Sequence, residues 1–288
     1  MNRLKEIPIP IAGLALGVLG LGNILPNETL NYLCGFIGFI LILTLVLKII
    51  KYPNLIRKDF QNPTLAAVFG TFPMALMVLS TYFPEGFCLW AVGLIIHVAL
   101  IIYYSVGFLA KCELKTLHAS AFIVYIGIGI STITGFDYAP AICNFLLIFS
   151  AISAIILVPA FGYRYIKYPV KDPLKPLICI YSAPASLIIV AYLQSSLYIS
   201  KTVLIILLVM SIILFIFSIA KIIQYRKLDF YPSYSAYTFP FVITACNIEF
   251  NSLFSTVNIN CMDTVNYSHY SPLLCTNEIC KKISYEIN

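Results

Sequence analysis

Apolar runs of about 20 residues alternate with short polar connections along most of the chain. Nine such runs can be counted, at about 7–25, 30–50, 63–83, 87–110, 118–136, 140–163, 174–194, 200–222 and 233–250. A helix of about 20 apolar residues spans the hydrocarbon core of a bilayer, so each run predicts a transmembrane helix. The pattern predicts an all-α polytopic membrane protein with one transmembrane domain at 1–250 and a polar, poorly ordered tail at 251–288.

Charged residues mark the ends of these segments. Lys and Arg collect in every second connection, whereas the other connections are short and neutral or acidic. By the positive-inside rule the basic connections and the N-terminus are cytoplasmic, which predicts a multi-pass protein of the cell membrane. The formal net charge of +6 does not indicate nucleic-acid binding, because the basic residues do not form one patch.

The odd-numbered segments contain helix breakers that the even-numbered segments largely lack. The breakers that we single out are Pro10, Gly17, Gly70, Pro73, Gly127, Pro184 and Pro240. A bend leaves carbonyl groups unpaired, which a membrane tolerates only where they face protein or a water-filled cavity. Small residues also let helices approach closely. We therefore interpret the odd helices as an inner ring around a conduit, bent at the four prolines, and the even helices as a straight, lipid-facing outer ring. The alternative is that proline and glycine are simply frequent in membrane helices.

The last segment places an aromatic ring beside its bend, because Phe239 directly precedes Pro240. Our interpretation is that this ring obstructs the conduit and acts as its gate. An ordinary packing role for the phenylalanine is the alternative.

Clusters of catalytic or metal-binding side chains are not evident. The sequence has no His-x-x-x-His, Gly-x-Ser-x-Gly or paired-Glu motif, so we expect no enzymatic activity and no cofactor. Cys275 and Cys280, with Cys261 and His269, do not have the usual spacing of a zinc site, and we expect no metal. For His97, in the middle of segment four, an interhelical hydrogen bond is favoured over a proton relay.

Five short motifs occur along the chain, one on each odd segment. They are Gly13-Leu14-Ala15-Leu16-Gly17, Phe72-Pro73-Met74-Ala75-Leu76, Tyr125-Ile126-Gly127-Ile128, Ala183-Pro184-Ala185-Ser186 and Tyr234-Ser235-Ala236-Tyr237-Thr238-Phe239-Pro240. With these motifs the chain resembles the tellurite-resistance/dicarboxylate transporter family, which includes the slow anion channels of plant guard cells. The resemblance covers about residues 7–248.

The resemblance implies ten helices in five hairpins, a central pore lined by the odd helices, and a homotrimer with one pore in each subunit. It matches Phe239 to the gating phenylalanine of the family and Gly17 to a pore-lining glycine. Further candidate lining residues are Gly70, Phe72, Phe122, Gly127 and Ser186. Two features depart from the family: segment five lacks an early proline, and no tenth apolar run follows residue 250.

Three functions stay open at this point. The first is a passive channel or uniporter for small inorganic or organic anions, gated by an aromatic plug. The second is a coupled exporter of C4-dicarboxylates such as malate, of sulfite or of tellurite-related oxyanions. Proton coupling would favour an intramembrane carboxylate, and none stands out. The third is a truncated, inactive member of the family.

Overall fold

The computed structural model describes residues 3–111 and 115–256, with side chains as far as residue 247. Within these ranges the chain is helical and contains no strand, so the all-α prediction is confirmed. Most of the predicted polar tail, including its cysteines and His269, lies outside the described residues.

Twelve α-helices follow one another in the described ranges. They are α1 (Ile11–Ile24), α2 (Glu28–Lys51), α3 (Pro53–Asp59), α4 (Pro63–Val68), α5 (Thr71–Ser80), α6 (Phe87–Gly107), α7 (Ala121–Tyr125), α8 (Ile130–Gly135), α9 (Pro140–Lys167), α10 (Ala183–Gln194), α11 (Lys201–Tyr225) and α12 (Phe239–Thr256). Segments two, four, six and eight are the single helices α2, α6, α9 and α11.

The odd segments from three onward are broken. Segment three consists of α4 and α5, and segment five consists of α7 and α8 joined by a 3-10 turn at Gly127–Gly129. Segments seven and nine begin as 3-10 helices, at Asp172–Ser182 and Pro232–Tyr237, and then continue as α10 and α12. The predicted alternation of interrupted and straight helices is therefore present in the fold.

Burial separates the same two sets. Of the most apolar stretch of each span, 89% is buried in Pro63–Ser80 and 94% in Asp172–Gln194. The corresponding share is only 28% in α2, 22% in α9 and 11% in α11. Because the exposed side chains of these helices are large and apolar, such as Ile155 at 75% exposure, the even helices form the surface that faces lipid.

Six of the described helices are long and apolar enough to cross a membrane, judged by length and composition alone. Ile11–Ile24 and Ala121–Gly135 are shorter apolar helices. The polytopic membrane fold is thus confirmed. The count of nine crossings stays a prediction.

The prolines at the predicted bends lie at the starts of helices. Pro10 is the residue that precedes α1, and Pro73, Pro184 and Pro240 lie within the first three residues of α5, α10 and α12. Proline is tolerated there because the first amide groups of a helix have no partner within the helix. Each proline therefore restarts an α-helix after an irregular stretch.

Outer helices supply hydrogen-bond donors to the break in segment five. The Nε2 atom of His97, on α6, lies 3.0 Å from the carbonyl oxygen of Val124. Since a carbonyl only accepts, this nitrogen donates. The hydroxyl of Ser150, on α9, donates to the carbonyl of Ile126 at 2.8 Å. His97 thus makes an interhelical hydrogen bond, the role that the sequence favoured.

Replacing His97 by leucine should destabilise the fold, because it leaves the buried Val124 carbonyl without this donor. A lost partner of this kind costs about 1–3 kcal/mol. The thermal unfolding of the detergent-solubilised protein would measure the loss. His97→Gln, whose amide can donate, should recover part of the stability, and a His97→Leu protein as stable as the wild type would contradict the role assigned to the bond.

Candidate functional site

The bent helices enclose a cavity of about 50 Å³ inside the bundle, room for a few water molecules at most. We call it the axial cavity. Every odd segment contributes to its lining and no even segment does. One lining residue from each is Leu16, Thr71, Gly127, Leu187 and Ser235.

The lining of the axial cavity is uncharged and mostly apolar. The Thr71 hydroxyl is engaged within its own segment, where it donates to the carbonyl of Val68 at 2.8 Å. Three α-helices also begin at this lining, since Thr71, Ala183 and Phe239 are the first residues of α5, α10 and α12. Each of these helices follows a helical stretch, and the first amides already have partners there: that of Phe72 donates to the carbonyl of Phe69 at 2.8 Å, and that of Ala183 to the carbonyl of Ile180.

Phe239 lies in the wall of the axial cavity, at the junction between the 3-10 helix Pro232–Tyr237 and α12. Its side chain is 6% exposed. The ring also packs close to Gly20 of α1, where a methyl group would lie 3.7 Å from the ring carbon Cδ2. Phe239 thus contacts α1 and borders the cavity.

Two other predicted lining residues, Phe122 and Gly127, also border the axial cavity, as do the bend prolines Pro184 and Pro240. Phe122 makes edge-to-face contacts with Phe161 and Tyr181, at centroid distances of 5.3 and 4.9 Å.

Gly17 lies where α1 meets the start of α12 and does not line the axial cavity. A methyl group at Gly17 would lie 2.5 Å from the Cβ atom of Thr238 and 3.0 Å from the backbone nitrogen of Phe239. The same contact is held by the Thr238 hydroxyl, which donates to the carbonyl of Gly13 at 3.0 Å. Gly17 therefore allows α1 to approach the residue that carries the ring.

The remaining predicted residues lie behind the cavity wall. Gly70 faces Ile123 and Leu100, and Phe72 packs on Phe69 at a centroid distance of 5.3 Å. Ser186 is fully buried, with its hydroxyl directed to α11 and α12. Pro10 and Pro73 are also absent from the lining.

Sequence reasoning missed Met74, Leu187 and Ser235 as lining residues. Met74 and Ser235 are inside the quoted motifs, and Leu187 directly follows one. The motifs therefore contain or adjoin residues that border the cavity, but they did not show which face of each helix points inward.

A model of the SLAC1 family, described as a voltage-dependent anion channel, matches residues 6–266 of the chain. The chain belongs to this family. The match confirms the predicted tellurite-resistance/dicarboxylate transporter relationship. A search of curated proteins finds no match to the chain. Because SLAC1 members are transporters or channels rather than enzymes, membership assigns the protein to anion transport across a membrane.

In this SLAC1-family chain, a second and more polar cavity of about 460 Å³ lies at the end of the bundle that carries the neutral and acidic connections. We call it the vestibule. It is bordered by residues at the ends of α5, α8 and α10, among them Thr81, Thr134 and Gln194, and by Asp137. The vestibule and the axial cavity share no lining residue.

The opposite, basic end holds a buried arginine. Arg164 follows the apolar run at 140–163, so the sequence predicts it in the next basic connection. In the structure α9 continues past it to Lys167, and Arg164 is 2% exposed. Its guanidinium donates to the carbonyl of Lys115 at 3.0 Å and to Nε2 of His118 at 3.1 Å. Arg164 thus fixes the connection before segment five in this SLAC1-family protein.

Replacing Gly17 by alanine should destabilise the protein, because the added methyl group would overlap Thr238. Overpacking of this kind costs about 1–3 kcal/mol, which thermal unfolding in detergent would detect. Gly162→Ala is the matched control, since a methyl group at Gly162 has open space around it. Equal stability of the two variants would contradict the close contact between α1 and α12.

Proposed function

We propose that the chain is a passive channel or uniporter that carries small anions through the axial cavity, with the Phe239 ring as its plug. The single observation that carries this proposal is the position of Phe239 in the wall of a cavity lined only by the odd segments. Membership of the SLAC1 family supports an anion as the transported species and a membrane as the location.

The uncharged lining supports passive conduction. A conducting site must replace part of the hydration of an ion without holding it tightly, and a lysine or arginine in the lining would bind an anion strongly. Helix dipoles attract anions more weakly than full charges do. In this proposal the starts of α5, α10 and α12, which border the axial cavity, provide this weaker attraction.

Two contacts around Phe239 support the plug proposal. Gly20 leaves space for the ring on the side of α1, and the Thr238 bond to Gly13 anchors the preceding residue. In this proposal Phe122 and Gly127 form part of the wall opposite the ring, whereas Gly17, Gly70, Phe72 and Ser186 support the wall from behind.

A coupled exporter of C4-dicarboxylates, sulfite or tellurite-related oxyanions is the second candidate. Coupling to protons would need a titratable group on the path, and the vestibule offers one carboxylate, that of Asp137. Uptake that follows the anion gradient alone supports the passive channel, whereas uptake that requires a proton gradient and is abolished by Asp137→Asn supports the exporter.

We also propose a homotrimer with the N-terminus and the basic connections in the cytoplasm. Mass photometry of the detergent-solubilised protein tests the subunit number. Impermeant thiol labelling of single cysteines placed at Lys58 and Glu85, which lie in connections of opposite type, tests the orientation.

Phe239→Ala should raise the anion current several-fold, because it removes the ring that closes the cavity. Currents in planar bilayers with chloride, nitrate and malate, recorded at equal protein density, provide the measurement. Phe149→Ala, at a partly buried phenylalanine on the outer helix α9, serves as the control and should leave the current near the wild-type value.

An unchanged or lower current in a well-folded Phe239→Ala protein would refute the plug. The absence of current from both the wild type and the variant would instead support the inactive alternative.

A further inference from the structure

Five buried polar side chains or carbonyls form a continuous network behind the wall of the axial cavity. The amide of Asn247 donates to the Ser211 hydroxyl at 3.1 Å, and Ser211 is 2.7 Å from the hydroxyl of Ser186. Ser186 in turn is 3.1 Å from the hydroxyl of Thr244, which reaches the carbonyl of Ser182 at 3.2 Å. Each of these five residues is at most 3% exposed.

Thr244 holds a central position in this network. Its hydroxyl also lies 2.8 Å from the carbonyl of Pro240, the residue that follows Phe239. The Ser182 carbonyl belongs to the last residue of the 3-10 helix that precedes α10. The one proton of the Thr244 hydroxyl goes to the nearer carbonyl, that of Pro240, and the hydroxyl accepts from Ser186. Thr244 therefore links Ser186 of α10 to the start of α12, and the first residues of both helices border the axial cavity.

The network also reaches the lipid-facing ring. On α11 the buried residues are two serines, Ser211 and Ser218, and the rest of the helix is exposed or half-exposed. The Ser218 hydroxyl bonds within its own helix, to Leu214 at 2.9 Å. Ser211 is thus the residue through which the outer helix α11 joins the hydrogen-bonded network of α10 and α12.

We propose that this network holds the start of α12, and therefore the Phe239 ring, in its closed position, and that Thr244 and Ser211 are positioning residues for the gate. The significance of the ring as a gate rests on the proposed function. Apolar contacts between membrane helices are poorly directional, whereas hydrogen bonds fix one register. A shift of α11 in the bilayer is transmitted to Phe239 through Ser211, Ser186 and Thr244.

The first test monitors the surroundings of the Phe239 ring directly and does not depend on an anion current. A fluorinated phenylalanine is incorporated at position 239, and its ¹⁹F resonance is recorded in nanodiscs. Thr244→Val keeps the shape of the side chain and removes the hydroxyl, and Ser211→Ala removes the link to α11. Both should shift or split the resonance.

Matched controls come from the same protein. Thr134→Val removes a buried hydroxyl that bonds only within its own helix, to Ile130 at 2.9 Å, and Ser218→Ala does the same on α11. Neither should alter the resonance. A spectrum that is unchanged in Thr244→Val and Ser211→Ala, or changed equally in the controls, overturns the inference.

The second test reads the current. Thr244→Val should raise the resting anion current in the wild-type background and add nothing in the Phe239→Ala background, because both changes remove the same obstruction. An equal fold-increase in both backgrounds indicates a structural effect unrelated to the ring and overturns the inference. If the ¹⁹F resonance shifts but Phe239→Ala leaves the current unchanged, the network is upheld and the plug proposal fails.

Discussion

A bent backbone inside a membrane must find partners for the carbonyl groups that the bend leaves free, and the rest of this structure depends on that requirement. The partners here come from neighbouring helices. His97 and Ser150, on outer helices, donate to the break in segment five. The outer helices are therefore more than a lipid-facing cover, because the inner helices depend on their side chains to remain bent.

The same breaks explain where the cavity is. An α-helix that restarts inside the membrane turns its first residues away from the preceding stretch, and three restarts, at Thr71, Ala183 and Phe239, meet at the axial cavity. The chain thus produces a weakly polar space without burying a charge in its lining. For a member of an anion-transporting family this is a workable compromise, since a full charge would attract the ion and also retain it.

The sequence predicted the alternation of the helices because proline and glycine act locally, on the residues beside them. Three of its candidates, Phe239, Phe122 and Gly127, border the axial cavity, and their roles as gate and pore lining stay predictions. The sequence did not predict that Gly17 makes a helix contact or that Ser186 faces α11, because hydrophobic periodicity gives the buried face of a helix but not the neighbour on that face. The burial of Arg164 was not predicted, because α9 continues beyond its apolar run, and two of the groups that the guanidinium contacts, His118 and the Lys115 carbonyl, are more than 40 residues away in the chain.

The attachment of α11 shows why a membrane protein would use serines rather than leucines at this point. Lipid solvates an apolar helix about as well as another apolar helix does, so apolar contacts alone leave its rotation and depth weakly defined. Ser211 can satisfy its hydroxyl beside Ser186 and Asn247 only in one rotation of α11. Ser211 therefore gives this helix of 25 residues a directional contact with α10 and α12, and through Thr244 that contact is linked to the start of α12, which borders the cavity.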